Sequence, residues 1–330
     1  MTDVIAASEL RKGFRTRRGP VEAVRGVSFT VAEGEIFGFL GPNGAGKTTT
    51  LRMLTTLLPI DGGSATVAGF EVASQPKSVR ERIGYVSQLG GADDLATGRE
   101  NLRLQGRLYG GEPALVERRV GDVLGLLDLE SFADRRVKTY SGGQRRRLDV
   151  GLGIVHEPQV LFLDEPTTGL DPQNRANLWD HLRALRERGT TVFLTTHYLE
   201  EADVLCDRVM IIDHGQIVAE GSPRDLKREI VGDSVVLRVA DVPQARARAR
   251  LLLEEARFVS SVTDGEDGEM RCYVDDGAAA LPELLRLFDG EGIAPRAISL
   301  SEPTLDDVFL AKTGRSLRDA GPRNREEVPS

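Results

Sequence analysis

The chain has 330 residues, of which 40% are hydrophobic and 28% are charged, and its formal net charge is −8. This composition is typical of a soluble globular protein with one large domain and a smaller one. The acidic balance argues against general nucleic-acid binding, which needs clustered Lys and Arg, so we expect no nucleic-acid partner despite local basic runs at 11–18 and 145–147.

The two cysteines, Cys206 and Cys272, lie far apart and outside any CxxC or His-rich context. Neither a disulfide framework nor a structural zinc site is indicated, so we expect a reducing, cytosolic location. The first residues lack the basic-then-apolar layout of a signal peptide. No apolar run reaches the ~18–20 residues that a transmembrane helix needs, so any role at a membrane is expected to be peripheral.

Residues 1–225 alternate short apolar strands with helices, a pattern that predicts an α/β domain with a largely parallel sheet. Strand patterns vanish after Gly98, and the helical spacing of Leu and Val predicts a helical subdomain over about 98–158. The clearest strand candidates are Ile36–Leu40, Val160–Leu163, Val192–Thr195 and Val209–Ile212.

A second, accessory domain is predicted over 226–314. The polar residues 315–330 that follow are predicted to be a disordered tail. The element order βαββαβ within the accessory domain indicates a small α+β fold of the ferredoxin-like type. The predicted elements are a strand at 234–240, a helix at 243–256, strands at 258–263 and 270–275, a helix at 278–288 and a strand at 296–300.

A phosphate-binding pattern follows the first strand candidate. The segment GPNGAGKTTT at 41–50 matches GxxxxGK[ST], between a strand and a helix predicted from Lys47 to about Leu58. Its glycines let backbone N–H groups face phosphates, and the helix N-terminus favours an anion. Lys47 offers a charge to the β- and γ-phosphates, and the Thr48 hydroxyl offers a ligand to Mg²⁺. The candidate nucleotide-binding residues here are Gly41, Pro42, Asn43, Gly44, Ala45, Gly46, Lys47, Thr48 and Thr49.

Two adjacent carboxylates end another strand candidate, in VLFLDEPTTGLD at 160–171. The carboxyl ends of strands are where open α/β sheets bind ligands. Asp164 is placed to hold Mg²⁺ through water, and Glu165 is placed to act as the general base that activates the attacking water. In isolation the pair would be read as the start of a solvated loop. Its position downstream of a phosphate-binding loop favours the catalytic interpretation.

Three further patterns point to the same chemistry. YSGGQ at 140–144 places Ser141, Gly142 and Gly143, followed by Gln144, at a helix N-terminus, which is a second anion-binding element. His197, in FLTTH, is a candidate donor near the γ-phosphate. Gln88, in YVSQ, ends a short strand with a side chain able to reach Mg²⁺ or the attacking water. Singly these residues favour structural roles, whereas their ordered spacing favours a nucleotide site.

The series GPNGAGKT, YVSQ, YSGGQ, LFLDEP, GLD and TTH resembles the ABC ATPases over roughly residues 4–222. The resemblance implies that Phe14 stacks on the adenine ring and that Asp171 communicates across a dimer. It also implies that two nucleotide domains close head-to-tail, with each ATP between one phosphate-binding loop and the SGGQ of the other copy. Because every element is present, we expect an ATP-dependent homodimer with two competent sites.

Two local features depart from the simplest pattern. Tyr140 stands where the family usually has Leu before SGGQ. The cluster Arg145–Arg147 lies in the first turn of a helix, where the helix dipole opposes cations. The cluster is therefore either a solvated face or a source of positive potential for the incoming triphosphate.

The chain more narrowly resembles the ATP-binding subunits of bacterial drug-efflux systems of the daunorubicin/doxorubicin-resistance type. This resemblance implies an ATP hydrolase with ATP and Mg²⁺ as cofactors, at the cytoplasmic face of the cell membrane. Its other partner would be a separate integral-membrane permease that exports a drug or other amphipathic compound. The segments that carry the resemblance are those at 52–72, 138–150, 213–227 and 299–314.

Two other functions remain open at this point. A non-transport ABC ATPase would act on nucleic acid or ribosomes, but the chain has neither sustained heptads nor a second phosphate-binding loop. A catalytically inactive scaffold is disfavoured because Lys47, Asp164, Glu165 and His197 are all present.

Overall fold

The computed structural model describes residues 2–16, 19–229, 233–239, 243–264, 269–301 and 303–315. The tail predicted at 315–330 lies, from residue 316 onward, outside the described residues. The chain forms two compact units. The first runs to Pro223 and includes the described residues from Lys312 onward, and the second spans Arg224–Ala311.

The elements of the first unit alternate between strands and helices along most of the chain. In order they are β1 (Asp3–Thr16), β2 (Gly19–Ala32), β3 (Ile36–Leu40), α1 (Lys47–Leu54), β4 (Gly62–Val67), β5 (Phe70–Glu71), α2 (Pro76–Arg82), β6 (Ile83–Val86), α3 (Gly98–Leu108), α4 (Pro113–Leu126), α5 (Gly142–Ile154), β7 (Val160–Asp164), α6 (Pro172–Glu187), β8 (Thr191–Thr196), α7 (Leu199–Leu205), β9 (Arg208–Asp213) and β10 (Gln216–Gly221).

The predicted α/β architecture with a parallel sheet is confirmed. Six strands pair in the order β10-β9-β3-β8-β7-β6, and all but the edge strand β10 run parallel. Every residue of β3, β7 and β8 is buried, as expected for parallel strands covered on both faces. The carboxyl ends of these strands therefore meet at one edge of the sheet, where Leu40, Asp164 and Thr196 end their strands.

A second sheet, of order β2-β1-β4-β5, departs from the prediction because its strands are antiparallel. The long strands β1 and β2 change register at several points, one of them between Ala7 and Leu10. Glu9, inside that shift, has a left-handed backbone with φ 49°. Such bulges break the alternation of buried and exposed residues by which a strand is recognised in sequence.

Helices α3, α4 and α5 lie within the range that was predicted as a helical subdomain. The N-terminus of α3 is fixed by Thr97, whose hydroxyl accepts from Glu100 N at 3.2 Å while the Glu100 carboxylate accepts from Thr97 N at 2.8 Å. Helix α1 ends at Leu54, earlier than predicted, because Thr56 adopts a left-handed conformation with φ 63° that a helix cannot contain.

The second unit has the predicted βαββαβ order. Its four strands form an antiparallel sheet of order β12-β13-β11-β14, the arrangement of a ferredoxin-like fold. Val235, Leu237, Leu253 and Phe288 lie fully buried in its core. Its elements, with the connecting helix, are α8 (Pro223–Arg228), β11 (Asp233–Arg238), α9 (Pro243–Glu255), β12 (Val259–Asp264), β13 (Glu269–Val274), α10 (Gly277–Gly290), β14 (Ala297–Ser301) and α11 (Leu305–Thr313).

Both cysteines are buried free thiols, in different units. Cys206 packs against Gly38, where an added Cβ would lie 2.5 Å from the sulfur. Burial raises the pKa of the Cys206 thiol well above its usual value and that of Cys272 to about 11. Among the residues that the structure describes, none of the helices has the length and apolar character that crossing a bilayer requires.

Candidate active site

The loop between β3 and α1 is shaped by its glycines. Gly44 and Gly46 have φ values of 82° and 105°, in the left-handed region that glycine alone enters without strain. At Gly46 the backbone also passes so close to Ala23 that an added Cβ would lie 2.5 Å from its carbonyl oxygen. At Gly44 an added Cβ would meet nothing within 4 Å.

This difference gives a prediction for the loop. Gly46→Ala is expected to lower the free energy of unfolding by about 2–3 kcal/mol, since it combines left-handed strain with a backbone clash. Gly44→Ala carries the strain alone and is expected to cost about 1–2 kcal/mol. Urea unfolding followed by the fluorescence of Trp179, the single tryptophan, measures the first unit. Equal losses in the two variants would show that the approach to Ala23 is unimportant.

Lys47 begins α1 with a side chain only 4% exposed. Its Nζ donates to the carbonyl oxygens of Gly41 at 2.8 Å and Pro42 at 3.1 Å and lies 3.5 Å from Glu165 Oε1. Burial lowers the pKa of the ammonium group, while Glu165 and Asp164 oppose that shift by favouring the charged form. The predicted phosphate lysine is thus held within the loop and beside both predicted carboxylates.

Asp164, which ends β7, is buried beside two hydroxyl groups. Its Oδ1 accepts from Thr48 Oγ1 at 2.9 Å and from Thr195 Oγ1 at 2.7 Å. A carboxylate and a threonine hydroxyl held together form a set of hard oxygen ligands of the kind that Mg²⁺ prefers. Thr48 and Asp164, two of the three residues predicted as metal ligands, therefore fit the ion.

The backbone of Glu165 is left-handed, with φ 46°. The strained turn is held by its own N–H, which donates to both the carbonyl oxygen and the hydroxyl of Thr195, each at 3.1 Å. Left-handed non-glycine residues cost free energy and persist where the surrounding structure fixes them, often at functional sites. The strained turn begins directly after the end of β7 at Asp164.

The predicted catalytic side chains gather around the Glu165 carboxylate. Oε2 accepts from Gln88 Nε2 at 3.3 Å and from the Thr168 hydroxyl at 3.3 Å. The Nδ1 atom of His197 lies 3.3 Å from the same oxygen. Gln88 was predicted both as a metal ligand and as a catalytic residue, and the structure places it on Glu165.

The charge of Glu165 is favoured by these neighbours. Burial by itself raises the pKa of the carboxyl group, but His197 and Lys47 outweigh it and lower that pKa below its ordinary value. The side chain is therefore an ionised carboxylate at neutral pH, which is the form that a general base requires.

The second anion-binding element begins at Ser141. Its hydroxyl accepts from Gln144 N at 3.3 Å, and the Gln144 side chain accepts from Ser141 N at 3.0 Å, which forms a capping box at the start of α5. Ser141 and Gly142 are exposed, whereas Gly143 is buried against Asn174, whose side-chain oxygen would lie 2.1 Å from an added Cβ.

Asp171 caps the neighbouring helix α6. Its carboxylate accepts from Asn174 N at 3.0 Å and from Asn174 Nδ2 at 2.6 Å, and these bonds lower its pKa. Phe14 lies near the end of β1 with 39% of its surface exposed, close to Lys12, whose ammonium group is bound by Asp61 at 2.6 Å. In the part of the chain that the structure describes, neither Phe14 nor Ser141 is hydrogen-bonded to Glu165 or to the Gln88 and Thr168 side chains beside it.

The three arginines at 145–147 have three different environments. Arg145 pairs with Asp94 at 2.6 Å on the surface, and Arg147 donates to the carbonyl oxygen of Leu127 at 3.0 Å. Arg146 is buried, so the interpretation as a solvated face is wrong for it. Helical phase causes this, because consecutive residues point about 100° apart.

Sequence reasoning also missed Glu201, a residue of helix α7 that is fully buried. Its Oε1 accepts from Trp179 Nε1 at 3.1 Å, and burial raises its pKa. Nothing in YLEEA separates this residue from the exposed Glu200 except the helical phase. Tyr140, which stands where the family usually has Leu, is held by a hydrogen bond that its hydroxyl donates to the Phe132 carbonyl oxygen at 2.7 Å.

Comparisons with known proteins support the nucleotide-binding interpretation of this site. Residues 24–168 match the ABC transporter family, and residues 221–313 match the C-terminal domain of DrrA1-3-like ATP-binding proteins. The chain is 45% identical to the daunorubicin/doxorubicin resistance ATP-binding protein DrrA of Streptomyces peucetius, over 99% of this chain and 96% of that protein. It is 35% identical to the linearmycin resistance ATP-binding protein LnrL of Bacillus subtilis, over 96% and 100%.

Two further similarities complete the comparison. The Nod factor export ATP-binding protein I of Ralstonia nicotianae is 40% identical, over 93% of this chain and 94% of that protein. A solved ATP-binding subunit of an ABC transporter superposes with a TM-score of 0.61 at 27% identity, covering 68% of this chain and 92% of that one. The chain therefore belongs to the ABC transporter family, as an ATP-hydrolysing ATP-binding protein of the daunorubicin/doxorubicin-resistance type.

Proposed function

We propose that this chain hydrolyses ATP to drive the export of a drug or other amphipathic compound through a separate integral-membrane subunit. The observation that carries the hydrolytic part is the convergence of Lys47, Gln88 and His197 on the Glu165 carboxylate. The relatives support the transport part, since their names concern resistance to daunorubicin and linearmycin and export of Nod factor.

In this proposal each side chain has a defined task. Glu165 accepts a proton from the attacking water, and Gln88 and His197 orient that carboxylate and the water. Lys47 binds the β- and γ-phosphates and balances the charge that develops during phosphoryl transfer. Thr48 and Asp164 would hold Mg²⁺, which supplies charge neutralisation of the phosphates when bound.

We further propose that two copies close around ATP. Ser141 and Gly142 lie exposed at the N-terminus of α5, where backbone N–H groups favour an anion, and among the described residues no hydrogen bond joins them to the phosphate-binding loop of the same chain. A second copy would supply the triphosphate to this N-terminus, with Gln144 and Asp171 lining the contact. Phe14, partly exposed, would stack on the adenine ring.

Exposed leucines support a docking surface for an integral-membrane partner, and binding to that partner would hold the chain at the cytoplasmic face of the membrane. They follow Gln88 and continue along α3, and their exposed fractions are 92% for Leu89, 71% for Leu95, 59% for Leu104 and 71% for Leu108. A series of exposed apolar side chains is typical of an interaction surface. We propose that the membrane subunit docks here, and that the domain over 226–314 stabilises the dimer or this docking.

Co-purification from native membranes tests the proposal. The tagged chain is expected to retain a stoichiometric polytopic membrane protein from detergent-solubilised membranes. Leu104→Asn/Leu108→Asn is expected to lose that protein and keep ATPase activity, whereas Leu57→Asn, at a leucine 52% exposed elsewhere, is expected to retain it. Recovery of ribosomes or DNA-bound proteins in place of a membrane subunit would contradict the transport function.

A further inference from the structure

Arg146, in the helix α5 that begins with the SGGQ residues, is 7% exposed. Within the described chain, no carboxylate oxygen lies within ion-pair distance of it. Its guanidinium group donates instead to four backbone carbonyl oxygens, those of Pro166 at 2.6 Å, Ser87 at 2.8 Å, Asp164 at 3.2 Å and Glu165 at 3.4 Å.

Burial lowers the pKa of this guanidinium group, and the carboxylates of Asp149, Glu201 and Asp164 oppose that shift. A buried cation that forms no direct ion pair is still costly unless its N–H donors are hydrogen-bonded. The planar guanidinium has five N–H donors in a fixed fork, so it can bind several carbonyl oxygens that lie around one plane. Lysine and glutamine lack this geometry. The residue is therefore suited to holding separate stretches of backbone at fixed distances from one another.

The carbonyl partners belong to the segments that carry the catalytic side chains. Ser87 directly precedes Gln88, and Asp164 and Glu165 are the predicted magnesium ligand and general base. The carbonyl oxygens of 164, 165 and 166 all reach Arg146 across the strained turn at Glu165, whose φ is 46°. Bonds to both flanking peptides stabilise the turn that aims the Glu165 side chain.

We infer that Arg146 is a positioning residue for ATP hydrolysis, which ties α5 to the backbone of Gln88 and Glu165. Through it, the placement of the Glu165 carboxylate depends on the placement of the helix whose N-terminus carries Ser141. Arg146 itself touches no reacting atom. The inference rests on the proposed role of Glu165 as general base.

The adjacent arginines provide matched controls. Arg145 pairs with Asp94 at the surface, and its side chain is 39% exposed. Arg147 donates to the carbonyl oxygens of Leu127 and Asp128, which lie within the helical subdomain. Neither side chain has a hydrogen bond to the segments of Gln88 or Glu165. The same substitution at 145 or 147 therefore removes a positive charge from α5 but leaves the hydrogen bonds of Arg146 in place.

Steady-state ATP hydrolysis by the full chain tests the inference. Arg146→Gln is expected to lower kcat by about 10–100-fold, because small displacements of a catalytic group cost rates of that order. KM and ATP affinity are expected to change by less than about twofold, since the phosphate-binding loop is not altered. Arg146→Lys is expected to recover part of kcat, and Arg145→Gln and Arg147→Gln to stay near the wild-type rate.

A double variant separates positioning from loss of fold. If Arg146 acts through Glu165, Arg146→Gln/Glu165→Gln is expected to be no slower than Glu165→Gln alone. Trp179 fluorescence in urea shows whether each variant is folded. Should Arg146→Gln unfold, a reduced kcat at unchanged KM in Arg146→Lys carries the same test.

The opposing outcomes are distinct. Wild-type kcat in folded Arg146→Gln, equal losses of kcat and affinity, or additive losses in the double variant would each overturn the inference while Glu165→Gln remains slow. A wild-type rate in Glu165→Gln would instead remove Glu165 from the mechanism, and the inference with it.

Discussion

Glu165→Gln is expected to lower kcat for ATP hydrolysis by about 10²–10⁴-fold, the usual contribution of a general base. The amide keeps the size of the carboxylate and its capacity to accept from Gln88 Nε2 and the Thr168 hydroxyl, so the turn is expected to stay in place. What it cannot do is accept the proton of the attacking water. ATP affinity is expected to remain within a few-fold of wild type.

Phosphate release and equilibrium nucleotide binding measure the two halves of this expectation. If two copies close around ATP and reopen only after hydrolysis, slow hydrolysis prolongs the closed state. Gel filtration with ATP is then expected to show accumulated dimer. Glu200→Gln is the matched control, since that side chain is 68% exposed and its carboxylate lies 3.5 Å from Arg175. Wild-type turnover in Glu165→Gln would contradict the role given to this carboxylate.

Lys47→Ala is expected to abolish tight nucleotide binding. Charge-assisted hydrogen bonds contribute about 1.5–3 kcal/mol each, so losing those to two phosphates weakens binding by about 10² or more. The substitution also alters the phosphate-binding loop itself. The carbonyl oxygens of Gly41 and Pro42 lose their buried donor, and Glu165 loses its neighbouring cation.

Equilibrium titration with a fluorescent ATP analogue measures the affinity. Lys77→Ala is the control, because that side chain is 86% exposed and its ammonium group lies 4.0 Å from Glu81 Oε1. Urea unfolding followed by Trp179 shows whether Lys47→Ala is folded. Unchanged affinity in a folded Lys47→Ala variant would count against the phosphate-binding assignment.

The sequence predicted those parts of the site that depend on short contiguous patterns. Strand β3, the glycine loop and Lys47 follow one another in the chain, so their arrangement is local. The meeting of Gln88, Glu165 and His197 was predictable as well, because each lies within two residues of the end of a strand of the same sheet.

What sequence did not predict depends on long-range packing. The antiparallel sheet was hidden by bulges such as the one at Glu9, which interrupt the strand period. Arg146 looks like its neighbours in sequence, and only the docking of α5 against the ends of β6 and β7 places it on four carbonyl oxygens. Glu201 and Glu200 differ in burial for the same reason. Glu201 lies on the side of α7 that packs against the fold, whereas Glu200 lies on the exposed side.

The two buried thiols make this chain well suited to site-specific labelling. Maleimides and spin labels react with exposed thiolates, and Cys206 and Cys272 are inaccessible and carry raised pKa values. A new cysteine at an exposed position such as Gln173 would therefore be modified selectively, with neither native cysteine removed. Distances between such labels on two copies would then follow the proposed closing of the two copies around ATP and their opening after hydrolysis.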